Sequence, residues 1–308
     1  MNIAIMGAGG LGAFYGIQLA RAGNAVTFIA RGATLAALRT QGLRVKSELL
    51  GDLHLPQVRA TDIPAQAGPA ELVLLTTKAY DLESAARSLT PLVNPDTTVL
   101  PLLNGVDIAE RLGAVLGPDR ILGGLCRVSA AIAEPGVITQ AGKFSNVVFG
   151  ELSGETTPRA RAVLAAFEAA GIATELSPHI RRDIWTKYLF IAAASGVCAL
   201  TSSTLGPVLN DPDTRALFTG VMTEIAALAA RAGITLGDSV VANSLAAAQK
   251  MPPTMKPSML HDLEQRKSLE VEALNGTAAR LGRELGVPTP INQFIYAALK
   301  HRAAGATP

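Results

Sequence analysis

The feature that most constrains this chain lies within its first dozen residues. A short apolar run, residues 2–6, meets Gly7-Ala8-Gly9-Gly10-Leu11-Gly12, and a helix with one apolar side follows. Strand, glycine cluster and helix with the spacing G-x-G-x-x-G form the context of a dinucleotide-binding turn. Gly7 allows the tight turn, Gly9 lets backbone amides approach a pyrophosphate, and Gly12 lets the helix close on the strand. The helix N-terminus adds about half a positive charge for the phosphates. Leu11, Phe14, Tyr15, Ile17, Leu19 and Ala20 form the apolar side of the helix over residues 10–22, and Gly23 stops it. Residues 25–30 (AVTFIA) make the next strand. A βαβ unit this short builds a parallel sheet with a right-handed crossover.

The alternation continues, with a helix over 34–40 and strands over 43–47 and 57–60. Residues 71–76 (ELVLLT) form the near-continuous apolar strand found inside parallel sheets. A helix over 82–92 and a strand over 98–103 follow. Residues 121–129, 137–140 and 146–150 suggest an antiparallel edge, before a helix over 158–170 and a strand over 173–176. Past His179 no strand-like run returns. Helices are predicted over 187–200, 213–232, 238–249, 259–282 and 291–303. The expected fold is α/β, an N-terminal Rossmann-type doubly wound sheet over residues 1–177 followed by an all-α C-terminal domain over 178–308. A chain of 308 residues holds two such cores comfortably.

Composition removes several function classes. The net charge is +2 with no basic run, and aromatics are only 4%, so a nucleic-acid partner is not expected. Cys126 and Cys198 stand far apart and the four histidines are scattered, so neither a disulfide framework nor a metal site is expected. The N-terminal run has no basic segment before it and makes a poor signal peptide. Residues 188–209 carry no formal charge and are long enough to raise the question of a membrane. They contain Gly196, Ser202, Ser203, Gly206 and Pro207, and read as a buried helix followed by a break. A cytoplasmic protein without a membrane partner is the expectation.

The second strand ends Ile29-Ala30-Arg31 with no acid nearby. An acid there would hold the ribose 2′-hydroxyl of NAD, whereas an arginine suits a 2′-phosphate, so NADP(H) is favoured. Two more strands end in Thr76-Thr77-Lys78 and Leu103-Asn104-Gly105. Lys78 offers a cation, and Asn104 a donor and an acceptor. An asparagine before glycine also serves a plain turn. Lys187 opens an almost uncharged run, with Ile191 and Ser195 at one-turn intervals on its face. Such a lysine either snorkels to water or sits partly desolvated, ready to give up a proton near neutral pH. Pro257-Ser258 suits a helix start with Ser258 as cap. Asp262, Arg266 and Glu270 recur every four residues, as a solvated ion-pair stripe or as part of a site.

Taken together, GAGGLG at 7–12, Arg31, TTKAYD around Lys78, LLNGVD around Asn104, DIWTKYLF around Lys187 and PSMLHDLEQRKSLEVEALNG with Ser258 and Glu270 resemble the ketopantoate reductase (2-dehydropantoate 2-reductase) family. The resemblance implies reduction of the 2-oxo group of ketopantoate by NADPH to D-pantoate, in a cleft between the two domains, for pantothenate synthesis. It implies Lys187 as general acid and Glu270 beside the nicotinamide ribose and substrate, both catalytic. It gives the cofactor Gly7, Ala8, Gly9, Gly10, Leu11, Gly12, Arg31, Lys78 and Asn104, and gives the substrate Asn104, Ser195 and Ser258. The partner implied is a small 2-oxo acid, with a homodimer left open as the assembly. The chain departs from the family pattern one and two helical turns after the lysine, where Ile191 and Ser195 replace asparagines, and at Leu205, which replaces a polar residue. Isoleucine cannot hydrogen-bond a substrate hydroxyl or carboxylate, so a different, more apolar 2-oxo acid is the alternative. A non-catalytic NADP-binding sensor is a second one.

Overall fold

In the computed structural model, which describes residues 1–303, the N-terminal apolar run is strand β1 (Asn2–Met6), with Ile3, Ala4, Ile5 and Met6 buried. Helix α1 (Gly10–Arg21) follows and stops at Gly23, whose φ of +88° is left-handed. The Gly23 and Asn24 amides close onto the carbonyls of Ala20 and Leu19, which terminates the helix. Next come β2 (Ala25–Ile29), α2 (Gly32–Gln41), β3 (Leu43–Ser47), β4 (Leu53–Leu55), β5 (Arg59–Thr61), β6 (Leu72–Leu75), α3 (Leu82–Leu89), β7 (Thr98–Pro101) and α4 (Ile108–Leu116). Strands β8 (Gly123–Glu134) and β9 (Val137–Gly150), helix α5 (Pro158–Ala169) and strand β10 (Thr174–Leu176) complete the α/β part.

The first sheet runs β5-β2-β1-β6-β7, all parallel. This is the doubly wound order, and its direction of growth reverses between β1 and β6. A second sheet runs β10-β9-β3-β4, with β8 antiparallel to β9. The sequence pattern suggests an antiparallel edge made of three short strands; the fold has instead two long strands in this separate sheet. β9 is one strand of 14 residues because its pairing skips: Arg127 faces Asn146 while Ser129 faces Ala141. Residues 142–145 bulge out at that skip and split the apolar pattern in two. β5 lies slightly later than the predicted strand over 57–60, and β4 and α4 have no counterpart in the sequence reading.

The helical part contains α6 (Ile180–Thr201), α7 (Leu205–Asn210), α8 (Pro212–Arg231), α9 (Val240–Gln249), α10 (Ser258–Glu264), α11 (Thr277–Leu285) and α12 (Pro290–Leu299). α6 is long and apolar enough to cross a membrane, but 61% of that stretch is buried within the fold, as in the core helix of a folded domain. The single helix predicted over 259–282 is broken. Arg266 takes a φ of +54°, and a π-helical turn spans Glu272–Gly276. Leu269, Glu270 and Val271 are buried in succession, which one face of an α-helix cannot provide. Asp262, Arg266 and Glu270 therefore form no common stripe. Ser258 is the first helical residue after Pro257, so it does not cap α10.

By its internal contacts the chain divides into two compact units. One comprises Met1–Leu103 and Asp107–Ile180; the other takes Asn104–Val106 and the residues from Arg181 onward. Ile3, Ile5, Phe14, Phe28, Leu74 and Phe149 lie in the core of the first, and Tyr188, Leu189, Phe218, Met222, Ile225 and Leu274 in that of the second.

Candidate active site

The glycine turn sits at the carboxyl end of β1, where the sheet order reverses. Gly7 has a φ of +102°, and its amide donates to the Ile29 carbonyl at the end of β2. The Thr76 hydroxyl, just past β6, donates to the carbonyls of Gly7 (2.8 Å) and Met6 (3.2 Å) and ties the two strand ends together. A β-carbon at Gly12 would collide with the Gly7 carbonyl and the Thr76 hydroxyl, and one at Gly10 with the backbone of Ala130 in β8. At Gly9 a β-carbon would meet nothing within 4 Å. Gly9 is the extended N-cap of α1 and no side chain caps the helix. The amides of the first turn thus face an open side and carry the positive end of the helix dipole. The Thr77 hydroxyl oxygen beside them is buried without a hydrogen-bond partner. An open glycine, an uncapped helix start and an orphaned hydroxyl fit the pyrophosphate of a dinucleotide.

Arg31 and Lys78 follow β2 and β6, the two strands that flank β1. Arg31 is exposed and is the N-cap of α2; Lys78 is half-buried and begins a 3-10 turn over Ala79–Asp81. The fold thus brings Gly7, Ala8, Gly9, Gly10, Leu11, Gly12, Arg31 and Lys78 to one edge of the parallel sheet.

In the second unit, Lys187 on α6 donates from Nζ to the Asn104 Oδ1 at 2.9 Å, joining two residues 83 positions apart. An ammonium carries three N–H donors, so the amide oxygen orients the group while engaging one of them. Ile191, one turn along, is half-buried, and Ser195, two turns along, is 4% exposed. Glu270 is 6% exposed and its carbonyl accepts from the Leu274 amide at the π turn. Ser258 is exposed at the start of α10. The Tyr188 hydroxyl donates to the Leu274 carbonyl at 2.6 Å and holds the π turn to α6 beside Lys187. Burial pushes the Cys198 thiol up to about 12, so it offers no nucleophile near neutral pH. Among the described residues, no three His, Cys, Asp or Glu side chains gather as a metal site.

Sequence reasoning missed Thr77, and also Thr76, Asn275 and Asn292, whose partners are distant in the chain. Only the short motifs TTK and NG hinted at three of them. It also missed Arg111 on α4, which donates from Nε to Glu83 at 2.8 Å and pairs with Asp107 at 3.6 Å.

Residues 3–154 match the family model described as ketopantoate reductase PanE/ApbA, and residues 179–303 match that of its C-terminal part. An uncharacterized oxidoreductase of Bacillus subtilis, YkpB, is 31% identical over 97% of this chain and 98% of its own length. A 2-dehydropantoate 2-reductase of Mesorhizobium japonicum is 30% identical over 98% of each. The crystal structure of a PanE/ApbA family ketopantoate reductase from Ralstonia eutropha superposes with a TM-score of 0.90 at 32% identity, covering 98% of both chains.

Proposed function

The chain belongs to the ketopantoate reductase family, and from that premise we propose that it reduces 2-dehydropantoate to D-pantoate with NADPH, using Lys187 as the general acid. The observation that carries this reading is the 2.9 Å bond from Lys187 to Asn104. It holds an ammonium group on a rigid core helix with its direction set by a neutral acceptor, which leaves the charge intact. NADPH, when bound, supplies the hydride for the keto carbon. The amides of Gly9, Gly10 and Leu11 hold its pyrophosphate, Arg31 its 2′-phosphate, and Lys78 adds a second cation at the same sheet edge. Lys187 stabilises the charge that develops on the keto oxygen and gives it a proton. Asn104 and Ser258 orient the substrate's polar groups, Ser195 adds a hydroxyl two turns from the acid, and Glu270 completes the set. In this reading residues 1–177 bind the cofactor and residues 178–308 supply the acid.

Positioned acid catalysis contributes about 10²- to 10⁴-fold. Lys187→Ala is therefore expected to lower kcat by about that factor while keeping NADPH affinity, measured by absorbance at saturating ketopantoate and by fluorescence titration. Turnover like the wild type in that variant rejects the acid role.

A second reading rests on Ile191. An apolar side chain one turn from the acid favours a more apolar 2-oxo acid than ketopantoate. A panel of 2-oxo acids followed by NADPH consumption separates the two, and a clear preference for ketopantoate ends the second.

A further inference from the structure

Packed against α6 lies a largely buried polar chain that the reaction as described does not use. Glu224, half-buried on α8, accepts from the backbone amides of Ile291 (2.8 Å) and Asn292 (3.0 Å) and so caps α12. It also accepts from Asn292 Nδ2 at 2.7 Å. The carboxylate can only accept, so it fixes which way round the Asn292 amide sits, with a weaker contact from Nδ2 to the Val221 carbonyl at 3.5 Å. The Asn292 Oδ1 must then accept, and Asn275 Nδ2 donates to it at 3.0 Å. The same Nδ2 reaches the Ala192 carbonyl of α6 at 3.4 Å. The Asn275 Oδ1 is left buried without a partner, packed over Gly196, where any β-carbon would lie within 2.6 Å of it.

A buried amide kept in an orientation that orphans its own oxygen calls for a reason. Its location supplies one. Asn275 belongs to the π turn whose preceding residue, Leu274, accepts from Tyr188 at 2.6 Å and donates to the Glu270 carbonyl at 3.1 Å. The segment 270–275 is thus fastened to α6 at Tyr188 and at Ala192, the first immediately after Lys187 and the second five residues on. Two fastenings about one turn apart fix both the rotation and the axial setting of a helix. π turns within helices recur at functional sites.

We propose that Asn275 is a positioning residue for the reduction: oriented through Asn292 by Glu224, it locks the segment carrying Glu270 against α6 and so sets Lys187 relative to Asn104. This rests on the reading of Lys187 as the proton donor. The test compares the full-length wild type with Asn275→Ala, Glu224→Gln and Lys187→Ala. Ketopantoate and NADPH are assayed across pH, and NADPH affinity is measured separately by fluorescence titration. A displacement on the scale of an ångström is expected to lower kcat about 10- to 100-fold in Asn275→Ala, with NADPH affinity unchanged. The alkaline limb of kcat/KM moves to lower pH as the ammonium loses its acceptor. Glu224→Gln, altered at the half-buried end of the chain and two hydrogen bonds removed from Asn275, shows the same shift in smaller degree and serves if Asn275→Ala does not fold. A merely structural role lowers the melting temperature but leaves kcat per folded molecule and the alkaline limb unmoved, and that result overturns the proposal. Loss of activity in Lys187→Ala with wild-type behaviour in the other two overturns the positioning role alone. Retained activity in Lys187→Ala, or a wild type that reduces no 2-oxo acid, overturns the underlying reading and the proposal with it.

Discussion

At the scale of a single side chain, position 31 is where we propose that the choice of cofactor is made. Arg31 stands just past β2, beside the glycine turn of β1, and is exposed. A guanidinium there adds a charge-assisted bond to a 2′-phosphate and has nothing comparable to hold on a 2′-hydroxyl. Because the side chain is solvated, the gain is toward the low end for such bonds, about 1.4 kcal/mol or tenfold. Arg31→Ala is expected to raise KM for NADPH about tenfold and to leave KM for NADH near its wild-type value, in steady-state assays with both cofactors. An equal rise for both cofactors would mean that Arg31 does not read the phosphate. The glycine turn and Arg31 stand out in the sequence because the signal is local: glycine spacing and the missing acid are both properties of one short stretch. Thr76 and Asn275 do not, because nothing next to them in the chain points to Gly7 or Ala192.

Elements built from local patterns were equally readable, and those shaped by distant pairing were not. The first strand, helix and strand emerge almost as the periodicity places them, since each buries one continuous face. β9 looked like two strands because its bulge interrupts the apolar alternation while the pairing to β8 resumes on either side. The run over 259–282 reads as one helix in the sequence, yet burial of Leu269, Glu270 and Val271 in succession goes with a change of geometry. α4 starts close in the chain to Asn104, a residue of the proposed site. Asp107 begins it three residues after Asn104, is 9% exposed, and pairs with Arg111, which also holds Glu83 of α3. Burial pushes the Glu83 carboxyl up, but the Arg111 hydrogen bond and charge outweigh this and hold it below the ordinary carboxylate range. Removing the guanidinium takes a cationic partner from both Asp107 and Glu83. Arg111→Ala is expected to cost about 1–2 kcal/mol in urea unfolding, and to lower kcat severalfold as Asn104 loses its fixed place under Lys187. An unchanged kcat in a destabilised variant would show that the loop holds its shape without α4.

At the scale of the whole molecule, the chain carries two hydrophobic cores, and a buried carboxylate of the first unit bears on its stability in acid. That carboxylate is Glu151, just past β9 and 6% exposed. It accepts from Arg159 Nε at 2.7 Å and Nη2 at 2.6 Å, and from the Thr157 hydroxyl at 2.5 Å, so that it braces the start of α5. Burial pushes its carboxyl up, but the bonds from Arg159 and Thr157 and the guanidinium charge prevail and hold it below the ordinary value of 4.5. A carboxyl lowered in the folded state contributes stability that is fully present above the unfolded value and is lost as pH falls through the folded one. Glu151→Gln keeps the shape and removes the charge. It is expected to cost about 2 kcal/mol at pH 7, since charge-assisted bonds are lost while a neutral acceptor remains. That corresponds to a fall of about 4–8 °C in the melting transition of a unit this size. As pH falls from 4.5 through the lower folded value the wild type loses this contribution and approaches the variant, so the gap between the two melting curves closes in acid. Calorimetry of both proteins between neutral pH and strong acid reads this directly. A gap that stays constant across the range would place the acid sensitivity of the first unit elsewhere than at the Glu151–Arg159 pair.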